Sequence, residues 1–207
     1  MNDRPIILVG GGTGGHIFPL IAVAEELQGA KTNFIYVGSK GSLEESVVKS
    51  LNWPFLSIEA GKWRRYINVG SIFQNIIDVF KMIKGFFQAI KLLRKTRAKL
   101  VVSKGGYVAV PMLYAARIVG CPVIVHESDS IMGVANRIGS KFAKRVLTAF
   151  DPEIFVGHDQ RYVKVGIPIR RSLRQAAKLK SPRKVRPLVL VIPGSQGSVA
   201  INQYIKE

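Results

Sequence analysis

Ile6-Ile7-Leu8-Val9-Gly10-Gly11-Gly12-Thr13-Gly14-Gly15-His16 is the stretch whose reading decides the fold. Four consecutive apolar residues make a short strand buried on both faces. The glycines behind it allow a turn that side chains would block. A helix follows, because Ile17, Leu20, Ile21, Val23, Ala24 and Leu27 recur at helical spacing. Such a turn gathers backbone N–H groups at the positive end of a helix dipole, a place suited to an anion or a sugar diphosphate. It also presents one imidazole, His16, at its rim.

Outward from this unit, strand and helix signals alternate. Strands are expected at 33–37, 54–59, 100–102, 122–125, 145–149 and 162–165. Ser42 with Glu45 reads as a capping box that opens a helix through Leu51. A long helix follows the basic loop Lys62-Trp63-Arg64-Arg65-Tyr66; further helices run to Arg117 and over 132–142. This βαβα order implies an α/β fold, a Rossmann-like parallel sheet with helices on both faces. In such sheets ligands sit beyond the carboxyl ends of the strands. The glycine turn, Gly105-Gly106 and His126-Glu127 all fall at those ends, so one shared cleft is expected.

The 207 residues, 47% of them hydrophobic, suffice for one ample domain, or one domain and the beginning of another. Cys121 is the only cysteine, which excludes an internal disulfide framework and fits a reducing compartment. No secretory signal and no uninterrupted apolar run of about 18 residues is visible. Near residues 166–187 a polar connector carries Arg170, Arg171, Arg174, Lys178, Lys180, Arg183, Lys184 and Arg186. The strand–glycine turn–helix pattern then restarts at Leu188. The division expected is therefore 1–166, a first domain; 167–187, a basic connector; and 188–207, the opening of a second domain cut short.

The net charge of +18 calls for a polyanionic partner: nucleic acid, an anionic membrane or a phosphorylated substrate. Between Gly61 and Leu100, ten basic residues face the single acid Asp78. On the long helix the apolar side chains cover an arc of roughly 200°, wider than one core face needs. Phe80, Ile83, Phe86 and Phe87, bordered by Lys84 and Lys91, make a greasy strip edged with cations, the mark of a surface resting on anionic lipid. The competing reading is an ordinary core helix with a solvated basic back. A nucleic-acid binder is disfavoured, since no RNA- or DNA-binding module is recognisable.

Gly11-Gly12-Thr13-Gly14-Gly15-His16-Ile17-Phe18-Pro19, Gly105-Gly106-Tyr107-Val108, His126-Glu127, Asn136, Gly166-Ile167-Pro168-Ile169-Arg170 and Gly194-Ser195-Gln196-Gly197 together resemble the MurG family. The resemblance runs in order along essentially the whole chain. It implies a two-domain inverting glycosyltransferase of the GT-B type, of which this chain holds the N-terminal half. The implied reaction moves N-acetylglucosamine from UDP-N-acetylglucosamine (UDP-GlcNAc) to the lipid-linked acceptor lipid I, giving lipid II for peptidoglycan. The implied location is peripheral, on the cytoplasmic face of the inner membrane. Without the rest of the donor-binding half the chain is expected to be inactive; a non-catalytic acceptor-binding subunit of a split transferase is the alternative.

The family's donor contacts fall on Thr13, Gly14, Gly15, Arg170 and Ser195. Its frequent asparagine two residues after His-Glu is Asp129 here, and a carboxylate cannot donate the amide hydrogen bond. Gly14, Gly15, Gly105, Gly106 and Tyr107 are expected to frame the acceptor diphosphate. Inversion by single displacement needs a base. His16 is the first candidate, because its ordinary pKa lies near neutrality; Glu127 and Asp129 are the alternatives. The departing diphosphate would be stabilised by helix N-termini and Arg170 rather than by a metal, since no His, Asp and Cys cluster has metal-ligand spacing. No cofactor beyond the nucleotide sugar is expected.

Overall fold

The computed structural model describes residues 4–62, 69–156, 159–178, 191 and 199–206. Two compact units are separable, Met1–Arg171 and Ser172–Glu207. In the first, β1 (Ile6–Gly10), α1 (Gly14–Gly29), β2 (Phe34–Gly38), α2 (Leu43–Ser50) and β3 (Phe55–Ser57) are followed by α3 (Val69–Thr96). Then come β4 (Leu100–Gly105), α4 (Ala109–Val119), β5 (Val123–Glu127), α5 (Val134–Ser140), β6 (Arg145–Thr148), α6 (Glu153–Val156) and β7 (Tyr162–Lys164). The expected strands and helices are present, with ends displaced by a few residues. The one-turn α6 and the short α7 (Arg171–Ala176), which falls inside the expected connector, were not expected. In the second unit α8 spans Val199–Lys206, one residue after the expected start; the strand expected from Leu188 lies outside the described residues except for Val191.

All strand pairs are parallel, in the order β3-β2-β1-β4-β5-β6-β7. The order reverses between β1 and β4, which makes their carboxyl ends the topological switch point. Alternation along β1 explains its uniformly apolar sequence. Ile6 and Leu8 pack with Ile17, Leu20 and Ala24 of α1 and Val48 of α2. Ile7 and Val9 face the other way, into a layer holding Ala89 and Leu93 of α3 and Met112 and Leu113 of α4. Helices cover both faces, so every position of the strand is buried. The Ser42 cap forms as expected, with the Glu45 amide donating to Ser42 Oγ (3.3 Å), but the Glu45 carboxylate accepts from the Gly41 amide, one residue before the one a capping box uses.

The crossover helix α3 is held close to the β3 end by backbone contact. A Cβ at Gly85 would overlap the Glu59 carbonyl oxygen, and one at Gly61 would overlap that of Asp78. Gln88 Oε1 accepts from the Glu59 amide at 2.7 Å on the same face. The opposite face carries Phe73, Ile76, Phe80, Ile83 and Phe87, spaced three and four residues apart and all exposed. Phe86, expected on that strip, turns inward and packs against the core, because one residue is about 100° of helix.

Gly85→Ala tests the docking of α3. Alanine gains about 1 kcal/mol of helix propensity. Its methyl meets backbone, which cannot move aside as a flexible side chain can, so an overpacking cost of about 1–3 kcal/mol wins. A lower urea midpoint for Gly85→Ala is expected, and an unchanged or higher midpoint contradicts the close approach.

Candidate functional site

The two glycine turns meet at the switch point. Gly106 has a φ of 83°, in the left-handed region that favours glycine. A Cβ there would overlap the Gly11 carbonyl oxygen, so the turn after β4 lies directly on the turn after β1. The Tyr107 ring closes over Gly12, at 3.0 Å from where a Cβ would stand, and the Lys62 ammonium lies 5.1 Å from its centroid. Beneath the first turn, Tyr36 Oη donates to the Gly10 carbonyl at 2.7 Å. The fully buried Glu44 carboxylate accepts from the amides of Gly12 (3.3 Å) and Ser39 (3.2 Å).

Thr13 is the extended residue that precedes α1. Its hydroxyl does not cap the helix but lies 3.1 Å from His16 Nδ1, which fixes the ring. Gly14 and Gly15 open the helix, where backbone amides have no partner within the helical ladder. Burial pushes the His16 pKa below the usual histidine value, the charge of Lys104 adds to this, and the Gly11 carbonyl, Glu127 and Asp129 oppose it. The imidazole is therefore neutral near pH 7, the form that accepts a proton.

Glu127, at the end of β5, is 3% exposed, and its carboxylate accepts four hydrogen bonds. Oε1 accepts from the amides of Ser128 (2.8 Å) and Asp129 (3.0 Å); Oε2 accepts from Gly133 N and Asn136 Nδ2, each at 3.0 Å. Burial pushes its pKa up, but the bonds from Asp129, Asn136 and Gly133 and the charge of Lys104 together hold it below the usual carboxylate range. Its lone pairs are engaged in shaping the loop that carries Asp129 and the start of α5. Asp129 itself is exposed. His126 is buried and ties β5 to the loop after β7, through Nε2 and the Gly166 carbonyl at 2.9 Å.

A cleft of about 420 Å³ opens at these strand ends; from the first glycine turn and the start of α1 only His16 lines it, and Thr13, Gly14 and Gly15 do not. His16, Gly105, Gly106, Tyr107, Glu127, Asp129 and Asn136 form its polar side, while Met82 of α3, Val110 of α4 and Ile138 of α5 form an apolar wall. Arg170 is not part of this lining; its guanidinium lies 4.3 Å from the Phe18 ring centroid, near the start of α1. Ser195 lies outside the described residues. Two buried charges, Glu44 and Lys104, were not singled out by sequence reasoning. The signal for Glu44 was its place in the first turn of a helix that follows a glycine-ended strand.

Glu127 also makes stability depend on pH. Its folded pKa is depressed, so its contribution is complete above the unfolded value, about pH 4.3, and is lost as pH falls through the folded one. The half-buried His16 and the buried His126 act earlier: both have lowered pKa values, so the unfolded chain takes up their protons first as pH falls below about 6.5. Urea midpoints should thus decline from about pH 6.5 downward. Glu127→Gln should cost about 3 kcal/mol at neutral pH, since an amide turned toward these donors leaves some unsatisfied, and should flatten the most acidic part of the decline.

Residues 6–148 match the glycosyltransferase family 28 N-terminal domain. The UDP-N-acetylglucosamine–N-acetylmuramyl-(pentapeptide) pyrophosphoryl-undecaprenol N-acetylglucosamine transferase of Clostridium kluyveri is 36% identical over 98% of this chain and 58% of its own length. Its namesake in Clostridium botulinum is 35% identical over 99% of this chain and 58% of its own length. The chain thus spans little more than half the length of these curated relatives. Among solved structures, Acinetobacter baumannii MurG superposes with a TM-score of 0.65 at 29% identity, covering 82% of this chain and 47% of that one. A Streptomyces glycosyltransferase in complex with thymidine diphosphate shares the fold at 12% identity, with a TM-score of 0.54 over 78% of this chain and 52% of its own. The resemblance to the MurG family, first read from six motifs, stands, and the architecture is the N-terminal half of the GT-B type. With the domain match extending from β1 to the end of β6, the chain belongs to glycosyltransferase family 28.

Proposed function

We propose that this chain is the acceptor-binding half of an inverting transferase that moves N-acetylglucosamine from UDP-GlcNAc to a lipid-linked N-acetylmuramyl-pentapeptide diphosphate. The observation that carries this reading is a single cleft that holds His16, the Gly105-Gly106 turn and Glu127, directly beside the contact between the two glycine turns. Amides at the start of α1 and in the Gly105-Gly106 turn attract the acceptor diphosphate. His16 accepts the proton of the acceptor hydroxyl as its oxygen attacks the anomeric carbon and the bond to UDP breaks. Arg170, held against Phe18, stands ready to offset charge on the departing diphosphate. Glu127 acts by position: with its lone pairs occupied, it is the poorer proton acceptor. Asp129 remains available to sugar hydroxyls as an acceptor only.

The exposed strip of α3 supports peripheral attachment to the inner face of the membrane. Phe80 and Phe87 are 68% and 62% exposed, and Lys84 and Lys91 on the same helix are exposed as well. Apolar side chains entering the acyl boundary, with lysines at anionic headgroups, account for the excess of positive charge. Met82, one residue from Ile83 of this strip, lines the cleft, so the polyprenyl chain of a bound acceptor has a short path to the bilayer. No helix among the described residues is long and apolar enough to cross a membrane.

Joining the chain to the C-terminal remainder of the Clostridium kluyveri relative tests the reading. UDP release that depends on the lipid-linked acceptor is expected from the chimera and not from the 207-residue chain alone. His16→Ala in the chimera should lower kcat by about 10²–10⁴-fold, the usual share of a general base; an undiminished kcat refutes the assignment. For the strip, Phe80→Ser with Phe87→Ser should weaken sedimentation with phosphatidylglycerol vesicles while the urea midpoint stays near that of the parent, because both rings are already in solvent. Unchanged vesicle binding removes the membrane role.

A further inference from the structure

A second cavity, of about 340 Å³, opens at the same end of the sheet and has no part in the proposed chemistry. Lys40 behind β2, Ser57 and Glu59 at the end of β3, and Asp78 and Lys81 of α3 line it. Tyr107 lines both this cavity and the cleft that holds His16, so the two spaces adjoin at that residue. They also run side by side along the chain. Gly61 and Met82 line the cleft, while their sequence neighbours Lys62 and Lys81 line the cavity. Polar groups predominate in the cavity, whereas apolar side chains predominate in the cleft.

The charges of the cavity are only partly matched. Asp78 pairs with Lys81 at 3.6 Å, and Glu59 pairs with Lys84 of α3 at 3.4 Å. Lys40 and Lys62 are exposed, and among the described residues neither has a carboxylate within ion-pair distance. The uncompensated charge is therefore positive, and one of its sources, the Lys62 ammonium, stands 5.1 Å from the Tyr107 ring centroid. Two such ammoniums attract a carboxylate.

In a lipid-linked N-acetylmuramyl-pentapeptide diphosphate, the peptide and the diphosphate leave one sugar ring at different carbons. A sugar held in the cleft, with its diphosphate at the Gly105-Gly106 turn, sends the peptide out by another route. The peptide is polar and carries at least its terminal carboxylate; the lipid is apolar and does not suit a polar cavity. A diphosphate suits it poorly too, because it only accepts hydrogen bonds and would meet Glu59 and Asp78. Peptide N–H groups donate, and so complement these carboxylates.

We propose that this cavity is the subsite for the peptide of the acceptor, with Lys40 and Lys62 meeting peptide carboxylate and Glu59 accepting from peptide N–H groups. This rests on the reading of the chain as an acceptor-binding half.

Two acceptors test it in the chimera. One carries the pentapeptide; the other has the same sugar, diphosphate and lipid, but its lactyl carboxyl is capped as a simple amide. The parent should show the higher kcat/KM with the first. Lys40→Glu lies outside the cleft lining. It should lower kcat/KM for the pentapeptide acceptor by about three- to tenfold, the scale of reversing one solvent-exposed charge, and leave the capped acceptor unchanged. Lys40→Arg should keep the parental values. Equal kcat/KM for the two acceptors in the parent, or a Lys40→Glu loss shared by both, overturns the proposal and leaves the transferase reading standing. The cavity is also read without turnover, by NMR of isoleucine methyls in the 207-residue chain. Soluble N-acetylmuramyl-pentapeptide should shift Ile58, which lines the cavity, and Lys40→Glu should require several-fold more of it. No shift, or a shift with inorganic pyrophosphate and none with the peptide, overturns the proposal. A peptide-induced shift beside a chimera inactive with both acceptors keeps the peptide site and refutes the transferase reading.

Discussion

Backbone rests on backbone where Gly106 meets the Gly11 carbonyl, and the site is organised around that contact. Gly106 cannot carry a side chain there, since its Cβ would overlap the Gly11 backbone, and a Cβ on Gly11 would displace the Glu44 carboxylate. The approach draws the carboxyl ends of β1 and β4 together at the point where strand order reverses. The Gly105-Gly106 turn and His16 thereby line one cleft, with the first glycine turn packed directly against them. An anion bound there meets fixed dipoles, which need no reorganisation during a reaction.

Three buried charges surround this contact. Glu44 lies beneath the first turn and accepts from its amide; Lys104 is buried near the end of β4, where the register against β1 shifts; Glu127 shapes the next loop. Each loses hydration on burial. The carboxylates recover it through backbone amides, a geometry that holds loops in place. For Lys104 burial outweighs the opposing charges of Glu127 and Asp129, and its pKa stays below the usual lysine value.

Helix α3 joins two environments. Glycine at 85, alanine at 89 and leucine at 93 let one face settle against the sheet layer, while phenylalanines at 73, 80 and 87 remain in solvent on the other. The small residues bring the helix close enough for Met82 to line the cleft. A surface suited to lipid and a pocket suited to a diphosphate are thus carried by one rigid element.

Much of this was legible in the order of residues. Strand–glycine turn–helix units, the parallel sheet, the convergence of three strand ends and an apolar arc too wide for one core face are local or periodic properties, and periodicity survives in a linear string. The tertiary structure decided the rest. Phe86 and Phe87 are chemically alike, and only the packing of α3 turns one inward. Glu127 and His16 both qualified as bases by type. That the lone pairs of Glu127 are occupied depends on the amides of Asp129, Gly133 and Asn136 folding back onto it. Lys104 reads as an ordinary strand-end lysine, and only the folded structure shows it buried at the end of β4. Residue types and spacing determined the fold and the family. Roles within the site came from through-space pairing, because the occupancy of a lone pair and the field at a titrating group depend on neighbours that are distant in the chain.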